Sequence, residues 1–111
     1  MLLNNNLPYI INSPILTEYG DWRFEGPLSI EKAKDILAKG FISAVGHAAT
    51  AQFLSQILGL PILENRIQIN MKMGERALVF RLKARLEEGR LLQAEELAAI
   101  PYDIGLLIRL N

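Results

Sequence analysis

Glycine or proline interrupts this chain at Pro8, Pro14, Gly20, Gly26, Pro27, Gly40, Gly46, Gly59, Pro61, Gly74, Gly89, Pro101 and Gly105, so every helix and strand it forms must be short. Proline lacks a backbone donor and fixes φ, and glycine weakens the interior of either element, so the chain turns at these points. Over 111 residues, half of them apolar, such short elements can still share one hydrophobic core without disulfide or metal staples. One domain spanning residues 1–111 is the expectation.

Between the turn signals the periodicity changes. Leu7 to Ile11 is an apolar run that stops at Asn12-Ser13-Pro14, which reads as an opening strand. Residues 14 to 28 read as a loop, held to the core by Trp22 and Phe24. Ser29 is a suitable N-cap for a helix from Ile30 to about Ala38, with Glu31 in its first turn and Gly40 beyond its end. Phe41 to Val45 is a brief strand, broken by Gly46 before a second helix that runs from His47 to about Leu58.

Arg66 to Lys72 then alternates polar with apolar, and Leu78, Phe80 and Leu82 alternate against Val79, Arg81 and Lys83. With Met73-Gly74-Glu75 between them, the two stretches predict an antiparallel hairpin. A loop from Arg85 to Arg90, a short helix near Ala94 to Ala99 and a last strand from Gly105 to Leu110 complete the chain. The expectation is an α/β domain with a mixed five-stranded sheet and about three flanking helices.

Composition narrows the chemistry. Twelve basic and twelve acidic residues cancel, so the molecule has no long-range attraction to duplex DNA or an anionic membrane. Without cysteine there is no disulfide and no thiolate nucleophile, and with a single histidine a transition-metal site has too few good ligands. The start, MLLNNNLPYI, has no basic segment of the signal-peptide kind, and no apolar run approaches the roughly 20 residues of a membrane span. A cytoplasmic, metal-free protein that needs no cofactor is the expectation.

Two places stand out for function. Gly46-His47 lies at a strand-to-helix junction, where the first helical turn presents unpaired, partly positive N–H groups to an anion, and Thr50 follows one turn later. A second reading of His47 is that it only caps the helix. Arg85-Leu86-Glu87-Glu88-Gly89-Arg90 offers guanidinium groups suited to phosphate and a carboxylate suited to orienting a histidine, or else a solvated loop tip. Gln68, Asn70, Arg81 and Lys83, on the outward strand face, either contact a ligand or face water. No phosphate-binding glycine loop, paired-carboxylate metal signature or serine-histidine-acid arrangement is present.

The segments Ile42-Ser43-Ala44-Val45-Gly46-His47-Ala48-Ala49-Thr50, Leu58-Gly59, Asn65-Arg66 and Arg85-Leu86-Glu87-Glu88-Gly89-Arg90 together resemble the viral type III anti-CRISPR ring nucleases over nearly the whole chain. The resemblance implies an α/β homodimer that binds cyclic tetra-adenylate across its subunit interface and opens the ring without metal. In that reaction a ribose 2′-hydroxyl attacks its adjacent phosphate and leaves linear di-adenylate with 2′,3′-cyclic phosphate ends, which silences type III CRISPR signalling in the host cytoplasm. By the same resemblance His47 is the general acid, Arg85 the phosphate-binding arginine and Glu88 the carboxylate supporting the histidine. Arg66 lines the ligand region. Asn12 and Ser13 correspond to a ligand-contacting segment near the N-terminus, where the agreement is loosest. Gly46, Thr50 and Arg81 complete the expected ligand contacts. The contrasting expectation is a non-enzymatic nucleotide- or nucleic-acid-binding regulator that uses the basic strand face. A third is an interaction protein whose apolar surface only dimerises.

Overall fold

The computed structural model describes residues 7–12, 18–83 and 92–111. In chain order they form β1 (Tyr9–Ile11), β2 (Trp22–Glu25), α1 (Ile30–Leu37), β3 (Ile42–Ser43), α2 (Ala48–Leu58), β4 (Arg76–Leu82), α3 (Ala94–Ala99) and β5 (Tyr102–Arg109). The strands make one mixed five-stranded sheet in the order β2-β5-β4-β1-β3. β1 runs parallel to both β3 and β4, whereas β5 is antiparallel to β4 and β2.

Local chemistry explains the helix ends. Ser29 is extended and its hydroxyl accepts the Lys32 N–H at 3.1 Å, starting α1. Gly59, at φ 67°, takes the left-handed position that closes α2. Gln93 and Glu96 form a reciprocal capping box at the start of α3.

Alternation along the strands divides the sheet into two faces. On one, Ile10, Leu78, Phe80 and Ile104 meet Ala33 and Leu37 of α1 and Ala51, Phe53, Leu54 and Leu58 of α2, with Leu97 of α3 at the margin. The opposite face holds Ile11, Ala77, Val79 and Leu107, covered by Met71 with Ile69 beside it.

That second cover corrects the expected hairpin. Residues 66–72 form no strand; Ile69 and Met71 turn inward onto the sheet as a strap, while Arg66, Gln68 and Asn70 are exposed. Both edges of β4 are already paired, with β1 on one side and β5 on the other, so no ladder is open to that segment. Its alternation records which side chains meet a surface, not a backbone pairing. The turn after it is real, with Gly74 at φ 86° and its N–H donating to the Arg109 carbonyl at 2.8 Å.

The fifth strand is instead β2, where a loop was expected. Trp22 and Phe24 alternate with Arg23 and Glu25, and all four residues pair with β5 between Leu106 and Arg109. Gly105 makes room for this arrangement, because a Cβ there would lie 2.4 Å from Cε1 of the Phe24 ring. The Arg81 guanidinium sits over the same ring, 5.4 Å from its centroid.

Candidate functional site

Because β1, β3 and β4 are mutually parallel through β1, their carboxyl ends share one edge of the sheet. α2 begins at that edge, immediately beyond β3, and half-buried Asn12 follows β1 there. The region outside the carboxyl ends of parallel strands is the usual place for a ligand in such sheets.

His47 occupies the N-cap position of α2 with extended backbone, φ −129° and ψ 128°, but its side chain makes no capping hydrogen bond. Its carbonyl accepts the Ala51 N–H at 3.0 Å, so the imidazole is exposed and free of structural duty while the backbone starts the helix. The N–H groups of the first turn precede the intrahelical ladder and carry the positive end of the helix dipole. Of the two readings of His47, capping by the ring is therefore excluded in this conformation.

A tied return of the chain brings Arg66 to this junction. Ser55, inside α2, donates its hydroxyl to the Ala51 carbonyl at 2.8 Å and accepts the Ile62 N–H at 2.8 Å, which folds the post-helix segment back. That segment then runs beside β3. The Ser43 hydroxyl donates to the Leu63 carbonyl at 2.6 Å, Val45 and Glu64 form a parallel bridge, and the Asn65 N–H donates to the Val45 carbonyl at 2.8 Å. The Asn65 amide adds a bond to the Ser43 carbonyl at 2.7 Å. As a result the Arg66 side chain lies along Gly46, its Nε 3.5 Å from where a Gly46 Cβ would be.

Gly46 serves differently from expected. It is not among the glycines with positive φ, and a Cβ there would meet Arg66 only at ordinary contact distance, so the strand-to-helix turn does not itself demand glycine. Ser43 and Asn65 emerge as positioning residues that no periodicity marks, since their role is set by backbone carbonyls 20 and 22 residues away in sequence.

The structure thus brings Arg66 to Gly46, the residue that precedes His47 at the start of α2. Thr50 is in the first turn of α2 but only 8 % exposed, turned inward rather than toward solvent. Ser13, Arg85 and Glu88 lie outside the described residues.

Arg81 has other company. Its Nε and Nη2 donate to the Asp103 carboxylate at 2.7 and 3.0 Å, with Lys83 Nζ 3.5 Å from the same carboxylate. These contacts fall on the sheet face away from the helices, as the register of Arg81 against Asp103 requires. The Arg81 hydrogen bonds hold the Asp103 carboxyl below its ordinary range against the opposing effect of burial, with Lys83 adding to the lowering. A depressed carboxylate contributes stability that is present above its unfolded value and lost as pH falls through the folded one. Acid unfolding should therefore be blunted in Asp103→Asn: the parent is expected to lose more stability than the variant on going below about pH 4. Chemical denaturation at a series of pH values checks this, and identical acid limbs would show the pair to be energetically silent.

Fold and site define a class: a small mixed-sheet α/β protein that presents a free histidine, an arginine and a helix N-terminus beyond the carboxyl ends of parallel strands. Within it, the chain belongs to the STIV B116-like family, whose model matches residues 8–104. It is 49 % identical over 81 residues to protein 26 of Sulfolobus islandicus filamentous virus, covering 71 % of this chain and 69 % of that one. Protein ORF117 of Acidianus two-tailed virus is 34 % identical over 110 residues, 93 % of each chain. Protein YddF of Bacillus subtilis is 32 % identical over 104 residues, 91 % of this chain and 95 % of the relative. The fold is that of B116 of Sulfolobus turreted icosahedral virus, with a TM-score of 0.80 at 20 % identity over 93 % of this chain and 99 % of that one. Among the described residues, no helix is long and apolar enough to cross a membrane.

Proposed function

We propose that this protein is a metal-independent ring nuclease that binds cyclic tetra-adenylate and opens it to linear di-adenylate with 2′,3′-cyclic phosphate ends, acting as a homodimer in the cytoplasm. One observation carries the reading: an exposed imidazole, unused in capping, stands at the open end of a helix, and an arginine is held against the preceding residue, Gly46.

Each part supplies something the reaction needs. Attack by an internal 2′-oxygen requires alignment with phosphorus and the departing oxygen, and binding geometry alone supplies that. Phosphate charge is met by Arg66 and the helix N–H groups. The departing 5′-oxygen needs a proton, and imidazole is the side chain best suited to hold and release one near neutrality. Arg85 binds phosphate and Glu88 orients the imidazole in this scheme, as the resemblance of their segment implies.

A regulator that grips nucleic acid with its basic strand face is the weaker reading. Two of the cations that would form that face, Arg81 and Lys83, already share the Asp103 carboxylate.

Incubation of the pure protein with labelled cyclic tetra-adenylate in excess chelator, followed by resolution of the products, tests the proposal. Linear di-adenylate with cyclic phosphate ends is expected. An intact ring despite saturable binding would make the protein a binding module, and activity restored only by magnesium or manganese would sink the metal-free mechanism.

A further inference from the structure

At the opposite edge of the sheet, the amino ends of β1 and β4 and the outer side of α1 border an open cleft of about 560 Å³ lined by Leu7, Pro8, Lys32, Asp35, Ile36, Lys39, Gly40 and Arg76. Its volume is within the usual range for small-molecule sites. We propose that this cleft binds a phosphomonoester carried on a flat apolar body, the chemistry of a nucleoside monophosphate.

The charge argues for it. Lys32, Asp35 and Ile36 share one stripe of α1, Lys39 follows in the turn that ends the helix, and Arg76 opens β4 across from them. Three cations against one carboxylate leave two positive charges in a molecule whose overall charge is zero. None of the three cations is in an ion pair with another described residue. Glu75, the acid next to Arg76, is engaged elsewhere, its carboxylate accepting the Lys72 N–H at 2.7 Å.

A phosphomonoester carries a charge of about −1.5 to −2 near neutrality, which this surplus matches, whereas a diester carries half as much. Arg76 supplies a planar fork for two phosphate oxygens, and the lysines act as point charges. The floor selects the rest of the ligand. Leu7, Pro8 and Ile36 are apolar, and Leu7 is 40 % exposed, so an uncharged ring laid there removes apolar surface from water. This site is remote from His47 and does not rest on the ring-nuclease reading.

The test is an amide-resolved NMR titration of the whole protein with adenosine 5′-monophosphate, with adenosine and inorganic phosphate in parallel. Adenosine 5′-monophosphate should shift the amides of Lys39, Gly40 and Arg76 saturably, inorganic phosphate should do so more weakly, and adenosine should not. The Lys32→Gln, Lys39→Gln double variant, changed only at exposed positions, should bind about tenfold more weakly or worse. Arg76→Lys, which keeps charge and loses the fork, should also bind more weakly. Arg66→Ala, altered only in the distant site, should leave the Lys39 and Gly40 response as in the parent. Equal response to adenosine, undiminished binding by the double variant, or shifts confined to Gly46, His47 and Ala48 would each overturn the assignment.

Discussion

Replacing His47 by alanine is expected to lower single-turnover cleavage of cyclic tetra-adenylate by about 10²-fold or more while changing affinity for the ring little. The separation follows from where the side chain acts. Its ring makes no capping bond, so its loss removes no support from α2, and the N–H groups proposed to meet phosphate belong to the backbone and persist. A proton delivered to the departing oxygen matters only in the transition state, and interactions of that kind affect rate without affecting ground-state binding. Arg66→Ala should do the reverse and weaken binding, because in the proposed reaction its guanidinium meets charge already present in the substrate. Near-parental single-turnover cleavage by pure His47→Ala would refute the assignment, as the chain has no second histidine to take its place.

The residues of this site were legible to unequal degrees. Gly46 and His47 announced themselves as a break between a strand and a helix, and that junction is where the sequence puts it, with α2 starting at Ala48. Local signals decided the three helices in the same way: Ser29 before α1, Gly59 after α2 and Pro101 beyond α3 mark ends that depend on neighbouring backbone alone. Arg66 was different. Resemblance named it, but its delivery to Gly46 depends on the bond from the Ile62 N–H to the Ser55 hydroxyl and that from the Asn65 amide to the Ser43 carbonyl, pairings that leave no periodic trace.

Strand identity was the hardest part to read. Alternation along Arg66 to Lys72 marks the inward side chains Ile69 and Met71 but not Ile67, which is exposed, and Trp22 to Glu25, read as a loop, alternates as a strand. Only the second stretch found an unpaired strand edge, along β5, whereas β4 had none left for the first. Arg81 shows the same limit from another side. Sequence marks an outward cation near the end of a strand, but its partner Asp103 comes from β5 and is set by the register of that pairing.

Phe53→Ala is expected to destabilise the fold by about 3–5 kcal/mol, a large share of the roughly 5–15 kcal/mol that holds a typical domain together. Phe53 is 1 % exposed and sits midway along α2, where its ring meets Tyr102 of β5 edge-on, centroids 5.7 Å apart and planes at 77°. It joins the helix that follows His47 to the sheet face on which that helix packs, alongside Phe80 and Leu78 of β4. Truncation leaves a void that the neighbours Leu54 and Leu58, already fully packed, cannot fill without leaving their own contacts. Thermal unfolding should fall by about 10–20 °C. Phe53→Leu, which restores most of the volume but not the ring contact, should recover more than half of that loss. If the alanine variant instead melted within about 2 °C of the parent, α2 would be anchored elsewhere and its hold on His47 would need another explanation.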